Sequence, residues 1–410
     1  MKIYKRIIFD SISKFLYSPD IIVLHGARQV GKTYILYYIK DFLEKKKEQV
    51  YYIDLEDSRF IRILDSGPDE FIIHLQEEGF IYGPTKKIYV LIDEIQYLKN
   101  PSSFLKLIAD HYIGIKLIVS GSSSFDIKNK FKNSLVGRTV NFDIFNLSFK
   151  EFLIFKNYLF DETIPYTLKK EEELQGLYKE YALYGGYPKI VMTADKEIKE
   201  KYLQQIIDTY IKKDIRDLAN IKDINKFNKL VEVLASQSGQ LLNITEISMT
   251  CGIAKQTVNQ YIFLLEQTYI LNILKPFSAN KRSELFKTPK IFFYDTGLMQ
   301  MLWLKEIPRE LLGPVFETSI HAELIKKYGI DKIRFWRTAD KKEIDFILLQ
   351  KDKKIPIEAK LNFLQANIST LKYFNQNYNS ENFYIVALKH SIEKKQNYIY
   401  PWDFKNIEKR

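Results

Sequence analysis

With 410 residues, 46% of them hydrophobic, the chain exceeds one ordinary domain and can bury more than one core, so two or three domains are expected. A single cysteine, Cys251, excludes an internal disulfide framework and any cysteine-based zinc site, and the five histidines lack the spacing of metal ligands. The longest apolar runs, such as "IYVLI" from 88, fall far short of the ~20 residues of a membrane span, and "MKIYKRIIFD" lacks a signal peptide's apolar centre, so a cytoplasmic protein with no membrane partner is expected. The net charge of +11 is a mild pointer to polyanionic partners and decides nothing alone.

From Ile21 to about Phe145 apolar strands alternate with helical patterns, which predicts a mainly parallel sheet covered by helices. The strands read as "IIVLHG" at 21, "QVYYIDLE" at 49, "IYVLIDE" at 88, "IKLIVSG" at 115 and "TVNFDIF" at 139. Four parts are expected: a parallel-sheet α/β domain over 1–147, a helical lid over 148–221 broken by the turn "YGGYP", a winged helix-turn-helix over 222–300, and a mixed α/β domain over 301–410.

The segment Gly26-Ala27-Arg28-Gln29-Val30-Gly31-Lys32-Thr33 matches G-x-x-x-x-G-K-[ST] between a predicted strand and a predicted helix. Glycines let backbone N–H groups close around phosphate, the lysine reaches the β/γ oxygens, and the threonine hydroxyl meets Mg²⁺. A chance glycine-rich turn would not explain the four apolar residues and two acids of "YVLIDE". Asp93, ending a buried strand, can hold Mg²⁺ through water, while Glu94 can polarise the attacking water. ATP and Mg²⁺ are therefore the expected ligands. In "VSGSSS", Ser120 and Ser122 fall at the next strand end, either to sense the γ-phosphate or as a serine-rich turn. Arg138, in "LVGRTV", reads as a stabiliser of transferring phosphoryl charge in its own chain or in a second copy of a homo-oligomer, or as a surface ion pair.

The ordered series "GARQVGKT", "YVLIDEIQ", "VSGSSSFD", "LVGRTVNFDIFNLSFKEFL", "LYGGYPKIV" and "FYDTGLM" resembles the prokaryotic AAA-type ATPases, in particular the family that joins such a domain to a C-terminal domain of uncharacterised function. The resemblance covers most of the chain and implies a P-loop domain of the ASCE/AAA type. It gives Gly26, Gly31, Lys32, Thr33, Asp93 and Glu94 the roles argued above from their chemistry. The family offers no single agreed biological substrate.

Residues 243–271, "NITEISMTCGIAKQTVNQYIFLLEQTYIL", combine a short apolar-periodic helix, Gly252 in the turn, and a longer helix whose Val258, Ile262 and Leu265 form one face. The polar start of the second helix, Lys255, Gln256, Thr257, Asn259 and Gln260, can reach base edges or phosphates. Between 222 and 290 nine basic residues stand against five acidic ones, a charge of +4 that is compatible with DNA but modest. The other reading is a winged helix used for protein packing.

In "EIDFILLQKDKKIPIEAK", Asp345 sits on one predicted strand and Glu358-Ala359-Lys360 on the next, the D…E-x-K arrangement of PD-(D/E)XK nucleases. The side-chain period of two puts Glu358 and Lys360 on one face. Two carboxylates and a lysine there can bind Mg²⁺, activate water and stabilise a phosphodiester transition state. Glu317, with Glu323 nearby, offers a further acid from the preceding helix, and Trp336 and Arg337 could stack on and contact nucleic acid. The expectation is a restriction-endonuclease-like α/β domain, with a non-cleaving domain of the same fold or an exposed charged hairpin as the alternatives. The chain thus reads as an ATPase acting on DNA or as a nucleotide-gated switch that binds DNA or protein without cutting.

Overall fold

The computed structural model describes residues 3–121, 135, 137–215, 221, 223–278, 288–351, 353–389 and 396–407. They fall into two compact units, Met1–Phe145 and Asn146–Arg410.

The first unit runs α1 (Phe9–Ile12), β1 (Ile21–Gly26), α2 (Lys32–Lys45), β2 (Gln49–Asp54), α3 (Ser58–Asp65), α4 (Pro68–Glu77), β3 (Ile88–Asp93), α5 (Pro101–His111), β4 (Ile115–Gly121) and β5 (Thr139–Ile144). The five strands expected from the apolar runs form one parallel sheet in the order β2-β3-β4-β1-β5. Every residue of β1 and β3 is buried, as strands covered on both faces require. Ile21, Val23, Val90, Ile92 and Val119 pack with Leu64, Phe71, Leu75, Leu105 and Ile108 of α3, α4 and α5. Helix α2 turns Ile35, Leu36, Ile39 and Leu43 inward at the helical spacing. Because all strands run the same way, Gly26, Asp93 and Gly121 end at one edge of the sheet, while Thr139 begins β5 at the opposite edge beside Ile21.

The second unit opens with α6 (Phe149–Phe155), started by a capping box between Ser148 and Glu151, and α7 (Leu168–Tyr184). It continues with α8 (Pro188–Met192), α9 (Lys196–Ile206), a π-helical stretch (Ile207–Ile215), α10 (Ile224–Ser236), α11 (Ile244–Cys251) and α12 (Lys255–Gln267). An antiparallel ribbon of β6 (Leu271–Leu274) and β7 (Lys290–Phe293) follows, then α13 (Thr296–Trp303) and α14 (Gly313–Tyr328). The last part is β8 (Ile333–Arg337), β9 (Glu343–Gln350), β10 (Lys353–Lys360), α15 (Ile368–Tyr378), β11 (Tyr384–Ala387) and β12 (Tyr398–Ile399), forming a second sheet in the order β12-β11-β10-β9-β8.

Two of the sequence motifs meet inside this unit. Asp295 caps α13 by accepting from Leu298 N at 2.9 Å, and its other oxygen accepts from Gly186 N at 2.9 Å and from the Asn146 amide. Burial pushes the Asp295 carboxyl above its usual range, and the N–H groups of Leu298 and Gly186 offset part of that rise. "LYGGYP" and "FYDTGLM" approach so closely that a Cβ on Gly297 would overlap the Tyr184 carbonyl.

His321 of α14 lies flat on Phe292 of β7, with ring centroids 4.2 Å apart and 14° between planes. It is fully buried, neither ring nitrogen has a hydrogen-bond partner among the described residues, and burial pushes its pKa down to about 3.

Candidate nucleotide site and an ionic cluster in the second unit

Gly31 has φ 98°, a left-handed conformation that favours glycine, and directly precedes the first turn of α2. That turn carries no side-chain cap, so its backbone N–H groups remain available to an anion. Ala27 and Val30 are buried and anchor the loop, while Arg28 and Gln29 lie further out. Arg6, a residue that sequence reasoning missed, donates to Val30 O at 2.8 Å and to Phe145 O at 2.9 Å, tying the loop to the end of β5. No local motif announces Arg6; only the tertiary fold brings it there.

Lys32 is buried and donates to the carbonyls of its own loop, Gly26 O at 3.1 Å and Ala27 O at 2.8 Å. Burial lowers its pKa to about 8, with the Glu94 and Asp93 carboxylates working against that fall. A buried ammonium among backbone dipoles, facing two acids, suits a polyphosphate well. Phosphate oxygens would replace the carbonyls with full negative charge.

Asp93 ends β3 and is buried; it accepts from the Ser120 hydroxyl, from Glu94 N at 3.1 Å and from the Tyr52 hydroxyl at 3.3 Å. Ser120 is therefore engaged with Asp93 and wholly buried. Ser122 lies outside the described residues. Glu94 takes a left-handed backbone, φ 55° and ψ 47°, and its carboxylate accepts from the Gln96 amide. Thr33, on the first turn of α2, and Asp93 supply one hydroxyl and one carboxylate. That donor set suits Mg²⁺, which keeps several waters and takes few protein ligands.

Arg138 does not join this site. It precedes β5 at the edge of the parallel sheet opposite to Gly26, roughly 16 Å away at ~3.3 Å per strand residue. It pairs with Asp110 at 2.7 Å. A role toward phosphate bound in its own chain is excluded by this placement.

In the second unit β9 and β10 pair antiparallel with Ile357 opposite Phe346, so Glu358 faces Asp345 across the strands. Lys360 Nζ bridges the two carboxylates, at 2.7 Å from Asp345 Oδ2 and 2.9 Å from Glu358 Oε1, and Asp345 Oδ2 also accepts from Ala359 N at 2.9 Å. Both acids are buried. Burial, then the Asp345 charge, raises the Glu358 carboxyl. Burial alone would lower Lys360, but Asp345 and Glu358 more than offset it and raise its pKa.

Glu317 projects from α14 toward the same region, its carboxyl raised by burial and by the nearby Asp345 charge. It pairs with Lys290 of β7 at 3.5 Å, and Lys290, itself buried, also binds Glu343 at 2.6 Å. Among the described residues no group of three or more His, Cys, Asp and Glu side chains is gathered to hold a metal. The expected trio of Glu317, Asp345 and Glu358 is thus corrected: Lys360 already sits between two of them and Lys290 draws on the third. Asp345 and Glu358 alone still provide the one or two carboxylates that Mg²⁺ requires.

Glu323 belongs elsewhere. Six residues, about 600° of helix turn, separate it from Glu317, and it accepts from Phe149 N at 3.1 Å and the Tyr181 hydroxyl at 2.6 Å. Trp336 is a core residue packed edge-on against Phe374 and bonded to the Tyr378 hydroxyl, and Arg337 pairs with Glu343 at 2.7 Å. On α12, Val258, Ile262 and Leu265 are buried as expected, while Lys255, Gln256, Asn259 and Gln260 are exposed.

A glycine loop after β1, an acidic pair at the end of β3 and strand β4 inserted between them form the arrangement of P-loop nucleotide-binding domains. Residues 18–153 match the family model described as "AAA domain", and residues 175–309 and 312–405 match two domains of unknown function, DUF8612 and DUF4143. The chain is similar to an uncharacterized protein of Haemophilus influenzae, 28% identical over 345 residues that cover 82% of this chain and 81% of the relative. It is also similar to an uncharacterized protein of Methanocaldococcus jannaschii, 26% identical over 360 residues, 85% and 77% of the two chains. Among solved structures it is similar to AMPPCP-bound DnaA from Aquifex aeolicus, with 17% identity, TM-score 0.29, and 64% of this chain and 87% of that one covered. Drosophila ORC bound to DNA shows 11% identity and TM-score 0.28 over 70% and 91%. No described helix is long and apolar enough to cross a membrane.

Proposed function

We propose that the chain is an AAA-type ATPase that binds and hydrolyses ATP and acts on DNA through the helix-turn-helix segment and the nuclease-like cluster of its second unit. The observation that carries the first part is Lys32, buried in the glycine loop and facing Asp93 and Glu94. In this reading the backbone N–H groups of 27–33 and the Lys32 ammonium hold the β- and γ-phosphates. Glu94 orients a water and takes its proton as the water oxygen bonds the γ-phosphorus and the bond to the bridging oxygen breaks, leaving ADP and phosphate. Thr33 and Asp93 are the residues that would hold Mg²⁺, which supplies charge neutralisation across the phosphates. Arg138 is a surface ion pair with Asp110 or serves a nucleotide held by a second copy of the chain.

For DNA, the exposed row Lys255, Gln256, Asn259 and Gln260 on α12 presents donors and acceptors with one charge. Fluorescence anisotropy with a labelled duplex is expected to give binding that weakens as salt rises, because phosphate contacts release counterions. Lys255→Ala weakens it. Absence of binding at ~50 mM salt, where such contacts are strongest, would leave this segment as a packing module.

Two readings remain for the Asp345, Glu358 and Lys360 cluster. The cleaving one is supported by two buried carboxylates and a lysine on one sheet face. The non-cleaving one is supported by the way Lys360 and Ala359 N already satisfy those carboxylates within the chain. Plasmid nicking titrated with Mg²⁺ separates them: the cleaving reading expects nicking that Glu358→Ala removes, and nicking that is absent or equal in both proteins leaves the switch. ATPase turnover measured with and without DNA tests whether the two activities communicate.

A further inference from the structure

Tyr52 lies outside every nucleotide-binding motif of the sequence, yet it bonds Asp93 and packs on the helix that begins at the glycine loop. Strands β2 and β3 pair with Asp54 opposite Asp93 and Tyr52 opposite Leu91. Tyr52 is thus two residues from Asp93's direct partner, on the same face and within diagonal reach of a long side chain. Its hydroxyl donates to Asp93 Oδ2 at 3.3 Å. The neighbour Tyr51 points to the other face, where its hydroxyl meets His74 Nε2 at 2.7 Å.

The ring of Tyr52 makes the second contact. It packs on Tyr37 of α2, ring centroids 5.0 Å apart at 53°. Tyr37 stands four residues after Thr33, so the two share a helix face. One half-buried side chain therefore leans on the helix face that carries Thr33 and bonds the carboxylate of Asp93. The other carboxylate oxygen of Asp93 accepts from the Ser120 hydroxyl and from Glu94 N, so Tyr52 on one side and these two donors on the other fix the plane of that carboxylate.

We propose that Tyr52 is a positioning residue of the nucleotide site, fixing Asp93 relative to the start of α2 so that Asp93 and Thr33 stand ready for one divalent cation. The inference rests on the ATPase reading. Groups that hydrogen-bond a metal-ligating carboxylate typically change metal affinity by roughly 10–100-fold when removed, and the loss of one hydroxyl at 3.3 Å belongs at the lower end of that range.

The test uses the full chain, a fluorescent non-hydrolysable ATP analogue and a Mg²⁺ titration. Tyr52→Phe keeps the ring on Tyr37 and removes only the hydroxyl. It is expected to raise the Mg²⁺ concentration for half-maximal tightening of the analogue about tenfold, to leave Mg²⁺-free binding of the analogue as in the unaltered chain, and to recover ATP turnover at saturating Mg²⁺. Tyr51→Phe, on the opposite face, is expected to change none of these. An unchanged Mg²⁺ requirement in Tyr52→Phe overturns the inference, as does an equal loss of Mg²⁺-free binding, which would mark Tyr52 as packing alone. If the unaltered chain binds no analogue with or without Mg²⁺, the ATPase reading itself falls.

Discussion

Glu94→Gln is expected to bind ATP as the unaltered chain does and to hydrolyse it on the order of 10²–10⁴ times more slowly, the usual contribution of a positioned general base. Lys32→Ala is expected to do the reverse in kind, weakening binding by roughly 10–100-fold, the worth of a hydrogen bond to a charged partner. The two effects separate because Lys32 meets phosphate in the ground state whereas Glu94 acts on the water during transfer. Glutamine keeps the shape of Glu94 and an acceptor for the Gln96 amide, so the left-handed backbone at 94 is not disturbed. Equilibrium binding of a fluorescent ATP analogue and steady-state phosphate release measure the two quantities independently. Unimpaired turnover in Glu94→Gln would remove that residue from the mechanism and point to another of the acids that act electrostatically with it, such as Glu56, whose carboxyl is raised by burial and by Asp54.

Gly297→Ala should unfold the second unit more easily than any conservative surface change. A Cβ at this position meets the carbonyl of Tyr184, and the obstacle is backbone, which cannot swing aside as a side-chain tip can. Overpacking of this kind costs typically 1–3 kcal/mol, occasionally more, and here it also pries apart the hydrogen bonds that Asp295 makes to Gly186 and Leu298. Gly176, in the middle of α7 with open space around it, is the control: Gly176→Ala should stabilise the helix by about 1 kcal/mol. All three tryptophans, Trp303, Trp336 and Trp402, lie in the second unit, so urea unfolding followed by tryptophan fluorescence reports on that unit alone. Equal midpoints for the two alanine variants would show that the contact yields at no cost.

The glycine loop, Asp93 and Glu94 were legible because a short contiguous segment carries each, and because a strand's apolar run shows where its carboxyl end lies. The Asp345, Glu358 and Lys360 convergence was legible for a related reason, since a tight hairpin fixes the pairing of its own strands. What the motifs did not carry comes from distant segments. Arg6 reaches the glycine loop from upstream of β1, Tyr52 reaches Asp93 across a strand pair, and Lys290 enters the ionic cluster from a strand that precedes β9 by about fifty positions. Asp295 meets Gly186 over 109 residues of chain. Arg138 was left open between phosphate contact and a surface ion pair, and strand order narrows it: a residue just before a strand of a parallel sheet sits at the end away from phosphate-binding loops, which follow strand ends, and here it pairs with Asp110.

His321 carries a consequence for acid conditions. Its ring stays neutral in the folded chain down to about pH 3, whereas the unfolded chain protonates it near 6.5, its ordinary value. Between those two pH values the unfolded state holds one more proton at this position, so folding of the second unit weakens by up to a factor of ten per pH unit as pH falls, and the contribution is fully restored above about 6.5. The sensitivity would come from an aromatic stack with no acid in it, and salt, which screens surface pairs, would do little to relieve it. His321→Phe, which keeps the ring on Phe292, is expected to flatten that part of the pH profile, and an unaltered profile in the variant would assign the acid response to other groups.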